Sequence, residues 1–414
     1  MRKFYILFLC LAILIFARSS IAVPQQTYDQ LKIFTEVLDI VQKSYVEAPD
    51  TKKLIYGAIK GMLSSLDPHS SFLTPDEFKE LQIETKGEFG GVGIEITIKD
   101  GWLTVVSPIE DTPAYRAGIK AGDRIIKING KLTKNMTLTE AVKLIRGKEG
   151  TKVTLTIWRQ GFNEPKDFEI TRGIISIKSV KSKILEPNYG YVRLTSFQEN
   201  TISELQEALS KLEKESKPLK GIILDLRNNP GGLLDQAVKV ADEFLDKGLI
   251  VYTKGRLESQ RMEFKAKENS HPHHYPIVVL INEGTASAAE IVAGALQDHR
   301  RALIIGRTSF GKGSVQTIIP LEDGSALRLT TALYYTPKGR CIQATGIVPD
   351  LEFSKVKMGK GPSRHPIIRE KDLERHLKAI MQEKKEKEKE PKDFLLDIGL
   401  QILKRWDVLT QLHY

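Results

Sequence analysis

Three short runs of this chain are apolar almost throughout: Gly221-Ile222-Ile223-Leu224-Asp225-Leu226, Pro276-Ile277-Val278-Val279-Leu280-Ile281 and Ala302-Leu303-Ile304-Ile305-Gly306. A strand wetted on one face alternates apolar and polar residues; one covered on both faces has no need to. Helical patterns separate the runs, Leu233 to Leu245 after the first and Ser287 to Leu296 after the second. Ahead of them lie a strand, Gly190–Leu194, and a helix, Thr201–Glu215, with apolar Ile202, Leu205, Leu209 and Leu212. Strands alternating with helices predict an α/β fold with a largely parallel sheet joined by crossovers. The chain's 414 residues suffice for two or three domains, and a hydrophobic fraction of 41% argues against wholesale disorder.

Residues 87–173 have a different texture. Gly90-Gly91-Val92-Gly93-Ile94-Glu95-Ile96 is a glycine-rich turn running into an alternating strand, and Leu103–Val106 is a second strand. Pro113 to Ile119 reads as a short helix closed by Gly118, and Asp123–Gly130 as a strand ended by Asn-Gly, a strong turn signal. Thr139 to Ile145 is helical, stopped at Gly147, and Thr151–Ile157 alternates as a last strand. The ordered set Gly-Gly-Val-Gly-Ile, Ala-Gly-Ile-Lys-Ala-Gly-Asp and Ile-Asn-Gly resembles a PDZ domain. The resemblance implies that the turn of Gly90, Gly91, Val92, Gly93 and Ile94 offers backbone N–H groups to a peptide's terminal carboxylate, while the peptide adds as a strand. Taken without it, the glycines need only make turns in a small β-domain.

The N-terminus has the pattern of a targeting segment. Met1-Arg2-Lys3 carries charge, Phe4–Ala17 is an apolar run of 14 residues, and Ser20-Ile21-Ala22 supplies small residues for cleavage. The run falls short of the roughly 20 residues that span a bilayer comfortably, which favours a cleaved signal over residues 1–22. Arg18 keeps an uncleaved anchor, and with it a membrane tether, as the alternative. Both place the protein outside the cytoplasm, periplasmic or attached to the outer face of the inner membrane. Cys10 falls within the signal, which leaves Cys341 without an intramolecular disulfide partner. The net charge of +10 comes from Lys and Arg scattered among 52 acidic residues, with no basic stripe interleaved with aromatics, so no nucleic-acid partner is expected. Residues 23–86 read as helical, with Leu31, Phe34, Val37, Leu38, Ile40, Val41 and Tyr45 at helix-like spacing. Asp67-Pro68-His69-Ser70-Ser71 breaks that pattern before Pro75 starts another helix.

Asn282-Glu283-Gly284-Thr285-Ala286-Ser287-Ala288-Ala289-Glu290 joins a buried strand to an apolar helix and sets Ser287 at the helix N-terminus. There the free N–H groups of the first turn can face developing negative charge, as a nucleophile's site requires. A serine helix cap explains the same position. Of the eight histidines, none sits in a motif that pairs with Ser287, but a lysine serves as base once burial disfavours its ammonium. Lys312, in Phe310-Gly311-Lys312-Gly313-Ser314-Val315-Gln316, is the candidate.

Thr-Ala-Ser-Ala followed by Gly-Lys-Gly-Ser-Val-Gln resembles the C-terminal processing (tail-specific) peptidases, serine proteases with a PDZ domain inserted ahead of a crotonase-like α/β catalytic domain. The likeness runs from Asp67-Pro68-His69-Ser70 to Gly346-Ile347-Val348-Pro349-Asp350. It implies Ser287 as nucleophile, Lys312 as base and Gln316 as the residue orienting the lysine. Ala289 stands where many members have serine. The turn Asp225-Leu226-Arg227-Asn228-Asn229-Pro230-Gly231-Gly232 lacks the Lys-Ser/Thr ending of a P-loop. By the resemblance it contributes Gly232, with Ala288, to an oxyanion hole, and Arg227 and Asn228 brace it. Arg146, at the end of the PDZ-type helix, is a candidate for gating, and a simple helix C-terminal cation is the alternative.

The expected organisation is a signal over 1–22, a helical segment over 23–86, a PDZ domain over 87–173, the catalytic domain over 174–353, and a charged and helical tail over 354–414. In the tail, residues 382–392 read as a solvated helix or linker, and Phe394, Leu395, Ile398, Leu400, Ile402, Leu403, Leu409 and Leu412 as an amphipathic segment packing on the protein or on a second subunit. His271-Pro272-His273-His274 is followed by no acidic or cysteine ligand at a recognised spacing, so neither metal nor cofactor is expected. The expected partners are proteins or peptides with free, apolar C-termini, and a second copy through the terminal helices. Two rival functions follow from the same elements: a non-catalytic PDZ adaptor, opposed by the intact Ser287, Lys312 and Gln316, and an acyl-CoA enzyme, opposed by the export signal and the PDZ block.

Overall fold

The computed structural model describes residues 25–268, 272–353 and 393–411. The signal (1–22), His271, the charged run 382–392 and Leu412 lie outside the described residues. The chain divides into two compact units between Leu66 and Asp67. In the first, helices Gln25–Ser44 and Thr51–Ser64 are separated by residues 45–50, the last of which, Asp50, caps the second by accepting from the Lys52 and Lys53 N–H groups. The first helix buries none of its residues, and Tyr28, Leu31, Phe34, Val37 and Ile40 are all exposed. None of the described helices is long and apolar enough to cross a membrane.

The second unit opens on an Asx turn. The Asp67 carboxylate accepts from the His69 and Ser70 N–H groups, the Ser70 hydroxyl and the Thr330 hydroxyl. This fixes strand Ser71–Leu73 antiparallel against Arg328–Ala326 of the long strand Ala326–Tyr335. Helix Pro75–Lys86 follows, with a Thr74–Glu77 capping box, proline in its first turn and Gly87 in the left-handed conformation at its end.

The PDZ-type part is a sheet in the order Ile94–Lys99, Trp102–Pro108, Arg124–Ile128, Lys152–Trp158, Lys166–Thr171. Its core gathers Val92, Leu103, Val105, Ile125, Ile128, Leu155 and Ile157 with Ala141 and Ile145 from helix Leu138–Ile145. Asn129 and Gly130 both have positive φ, 49° and 79°, and they close a two-residue hairpin onto Lys131–Leu132 as the Asn-Gly pair predicts. Strand Lys166–Thr171, with only Phe168 and Ile170 apolar in alternation, completes the sheet beyond the expected last strand.

The α/β part has a six-stranded sheet in the order Val180–Glu186, Tyr189–Leu194, Gly221–Asp225, Ile277–Ile281, Leu303–Gly306, Leu351–Glu352. All pairings are parallel except the first. The three apolar runs are covered on both faces, and successive residues split cleanly. Ile222, Leu224, Ile277, Val279, Ile281 and Ile304 pack with helices Thr201–Glu215, Leu234–Phe244 and Ala288–Asp298. Ile223, Val278, Leu280 and Ile305 pack with Leu400 and Leu403 of helix Phe394–Lys404. The amphipathic tail therefore supplies the second covering layer of the sheet. A second sheet, antiparallel and absent from the sequence expectation, joins Ser71–Leu73, Ala326–Tyr335, Gly248–Gly255 and Met262–Ala266, with Ser314–Pro320 also on the long strand.

Candidate active site

The central strand Ile277–Ile281 delivers the loop Asn282–Ala286, and Ser287 follows at the head of helix Ala288–Asp298. Ser287 is held at φ 54° and ψ −117°, a backbone conformation that costs a serine free energy and persists only where its surroundings impose it. The Ala286 N–H donates to the Asn229 carbonyl at 2.9 Å, and the buried Thr285 hydroxyl donates to the Leu226 carbonyl at 2.9 Å. Asn228 donates its N–H to Asn282 Oδ1 and accepts from Asn282 Nδ2, both at 2.9 Å. These bonds stitch the serine loop to the turn Asn228–Gly232.

That turn presses on the serine. A Cβ on Gly231 would lie 2.8 Å from the Ser287 Cβ and 3.0 Å from the Ala288 nitrogen. Gly232, at φ 140°, would drive a Cβ to 2.1 Å from the Phe197 carbonyl oxygen. Only glycine fits at either position, so the backbone of this turn lies open beside Ser287 and the first N–H of the helix. Ser287 holds the N-cap position, where its main chain makes the bonds: the Glu290 N–H donates to the Ser287 carbonyl at 2.8 Å, and the Ser287 N–H donates to Glu290 Oε2 at 2.7 Å.

Glu290 is the residue the sequence expectation missed. It is fully buried on a helix whose other residues, Gln297 apart, are also buried, and its carboxylate gathers two loops. Oε2 accepts from the Lys312 N–H at 2.9 Å as well as from Ser287; Oε1 accepts from the Gly311 N–H at 2.8 Å and the Ser309 hydroxyl at 2.5 Å. The main-chain nitrogens of the two candidate reacting residues thus share one oxygen atom. Burial pushes the Glu290 carboxyl up to about 7, against the downward pull of its four donors. The available signal was a glutamate alone among Ala288-Ala289 and Ile291-Val292-Ala293, since a charge at a buried helical position has a reason.

Gln316 donates to the Ser314 hydroxyl at 2.8 Å, beside a bulge between Val315 and itself. In the PDZ-type part, Gly90 and Gly91, expected in a turn, instead end strand Glu88–Gly91, which pairs antiparallel with Gly173–Ser176, so that only Val92 and Gly93 separate it from strand Ile94–Lys99. The Gly90 carbonyl accepts from the Gly147 N–H at 3.0 Å, the Val92 carbonyl from Ala114 at 2.8 Å and the Gly93 carbonyl from Ile109 at 2.9 Å. Arg146 caps helix Leu138–Ile145 with its N–H, pairs with Glu80 at 2.5 Å and lies 4.4 Å from the Phe89 ring centroid. Lys143, one turn earlier, pairs with Asp76 at 2.6 Å. Both cations tie the PDZ-type helix to helix Pro75–Lys86. Of the histidine cluster, His273 is engaged by Glu213 at Nδ1, 2.9 Å, and Glu243 at Nε2, 3.0 Å.

A serine on a constrained strand-to-helix turn, a lysine loop bonded to it through Glu290 and a PDZ-type sheet stand in one chain. Comparison with known proteins gives the class. Residues 188–353 match peptidase family S41, residues 104–159 a PDZ domain, and residues 17–76 the N-terminal domain of the activating protease CtpB. A carboxy-terminal-processing protease of Bartonella bacilliformis is 52% identical over 86% of this chain and 82% of its own. The carboxy-terminal processing protease CtpA of Bacillus subtilis is 41% identical over 84% and 73%. Among solved structures, a photosystem II D1 C-terminal processing protease matches at 34% identity with a TM-score of 0.45, covering 77% of this chain and 92% of that one. The chain belongs to peptidase family S41, with the carboxy-terminal processing serine proteases.

Proposed function

We propose that this peptidase is exported, takes hold of the C-terminal tails of proteins in its PDZ-type groove, and cuts them with Ser287 as nucleophile and Lys312 as general base. The observation that carries the reading is the single Glu290 oxygen shared by the Ser287 and Lys312 N–H groups, which fixes the two main chains against one another. Neutral Lys312 takes the Ser287 hydroxyl proton as Oγ bonds to the scissile carbonyl carbon. The oxyanion lies against the N–H groups of Gly232 and Ala288. The C–N bond then breaks as Lys312 gives the proton to the leaving amine; water, deprotonated by Lys312, attacks the acyl carbon, and the C–O bond to Ser287 breaks as Lys312 returns that proton to Oγ. Gln316 orients the lysine, and neither metal nor cofactor takes part.

Tail recognition is supported by topology. Among the described residues strand Ile94–Lys99 ends its sheet, paired only with Trp102–Pro108, so its outer edge can receive an added strand. In this reading the segment Gly90, Gly91, Val92 and Gly93, buried from Gly91 onward ahead of the edge strand, turns its N–H groups to a terminal carboxylate as the groove fills, and the half-buried Ile94, Ile96 and Val142 favour an apolar last residue. Arg146 is the gate in this reading, exchanging its Glu80 and Phe89 contacts when the groove fills. The exposed apolar residues of helix Gln25–Ser44 suit a second copy, and residues 1–22, if uncleaved, a tether on the outer face of the inner membrane. The domain limits proposed for these roles are residues 23–86, 87–173, 174–353 and 354–414.

The test uses residues 23–414 and an unfolded protein substrate. Ser287→Ala and Lys312→Ala each abolish cleavage while the circular dichroism spectrum is kept; near-normal turnover in either removes the dyad. Amidating the substrate's terminal carboxylate slows cleavage, and equal rates would reduce the PDZ-type part to a spacer. With a short substrate lacking a tail, a tail peptide added in trans activates the wild type but not Arg146→Ala, although both bind it. A wild-type rate indifferent to that peptide excludes gating.

A further inference from the structure

The loop that carries Lys312 is gripped from two sides. Glu290 holds one side through Ser309, Gly311 and the Lys312 N–H. The segment Ile342–Ile347 holds the other. There the Ser309 N–H donates to the Ile347 carbonyl at 3.1 Å, the Ile347 N–H donates to the Ser309 hydroxyl at 2.6 Å, and the Ala344 N–H donates to the Gly311 carbonyl at 2.8 Å. One bond on this side comes from a side chain: Gln343 Oε1 accepts from the Gly313 N–H at 2.9 Å.

That N–H belongs to the peptide joining Lys312 to Gly313. A residue's direction is set by its two soft dihedrals, which orient the peptide planes before and after it. At Lys312 the plane before is pinned by Glu290 and the plane after by Gln343. The flanking glycines follow from the same grip. A Cβ on Gly313 would lie 2.3 Å from the Gln343 nitrogen, and one on Gly311 would lie 3.2 Å from both the Ala344 carbonyl carbon and the Gly346 nitrogen. Ala344 itself sits at φ 62°, a conformation uncommon for alanine that brings its N–H onto Gly311. Gly-Lys-Gly is thus the sequence of a lysine enclosed by two backbones.

We infer that Gln343 is a positioning residue for Lys312, its amide oxygen fixing the peptide that aims the lysine at Ser287. The inference rests on Lys312 being the general base. Removing the acceptor frees that peptide to rotate, and a misplacement of about 1 Å at a reacting group costs on the order of 100-fold in rate.

The experiment compares Gln343→Met, of similar length but without an acceptor, with Gln343→Glu, which retains one, and with Lys312→Ala. For Gln343→Met we expect kcat to fall roughly 10- to 100-fold with KM within about twofold. The acid limb of its kcat profile moves, tail-peptide affinity does not, and Gln343→Glu recovers most of the loss. If Gln343→Met fails to fold, Gln343→Asn, whose carbonyl is one methylene short, is measured for the same outcomes. A Gln343→Met enzyme with wild-type kcat and pH profile, alongside an inactive Lys312→Ala, overturns this inference and leaves the dyad standing. An active Lys312→Ala overturns the dyad itself. A fall in melting temperature with kcat and pH profile unchanged makes Gln343 merely structural and also overturns it.

Discussion

Glu290 meets four donors, a set that a carboxylate satisfies more fully than a carboxylic acid, whose proton would point among them. Burial opposes that charge and lifts its pKa from 4.5 to about 7. A carboxyl whose folded pKa is raised lends stability below its unfolded pKa and loses it as pH climbs through the folded one. Stability and activity should therefore run in opposite directions. In the Ser287→Ala background, which cannot digest itself, the melting temperature falls between about pH 5 and pH 8, while wild-type kcat rises over the same interval. Glu290→Gln flattens the stability slope. It also places an NH2 where two donors point, so activity drops at least about tenfold and stability by about 1–3 kcal/mol. A Glu290→Gln enzyme with normal kcat at neutral pH would contradict this account.

Among elements, the histidine loop shows how a motif can be visible in sequence while its partners are not. His273 precedes the central strand, and its imidazole lies between Glu213 of helix Thr201–Glu215 and Glu243 of helix Leu234–Phe244. The Tyr275 hydroxyl lies 3.0 Å from Nδ1, and Arg301 donates to the His273 and Tyr275 carbonyls. Burial pulls the His273 pKa down, but the two carboxylates outweigh it and hold it above the ordinary 6.5. The clamp is at full strength below that ordinary value and fades as pH rises through the folded one. We expect His273→Ala to lower stability by about 1–3 kcal/mol at acid pH, with a smaller loss above neutrality and kcat unchanged, as thermal melts and turnover will report. The buried strands, the Asn129-Gly130 hairpin and the strand-to-helix junction at Ser287 were legible because each signal lies within a few residues. The clamp, the Glu290 hub and the antiparallel sheet join segments far apart in sequence, and the pairing of Ser71 with Arg328 leaves no periodicity to read.

At the scale of the whole molecule, the central sheet is sandwiched by helices drawn from the middle of the chain and by one from its end. Leu403 is 3% exposed, and its methyl groups reach within 3.0–3.4 Å of where a Gly221 Cβ would stand. Leu403→Ala should cost about 2–4 kcal/mol, read as a shifted denaturant midpoint with an unchanged slope; an exposed, dispensable tail would show no shift. Arg227, tied to the buried Asp225 and to Asp393 ahead of that helix, joins the tail to the strand end beside the Asn228–Gly232 turn. The discontinuous sheet also orders events in time. Synthesis runs from the N-terminus, and strand Ser71–Leu73 has no partner until Ala326–Arg328 has been made. The PDZ-type part, whose sheet and core are internal, can fold in the interval, whereas the peptidase part waits for Ala326–Arg328 and for helix Phe394–Lys404 and pays the loop-closure entropy last. A nascent chain of this design cannot cut its neighbours, or itself, before those late segments have been made.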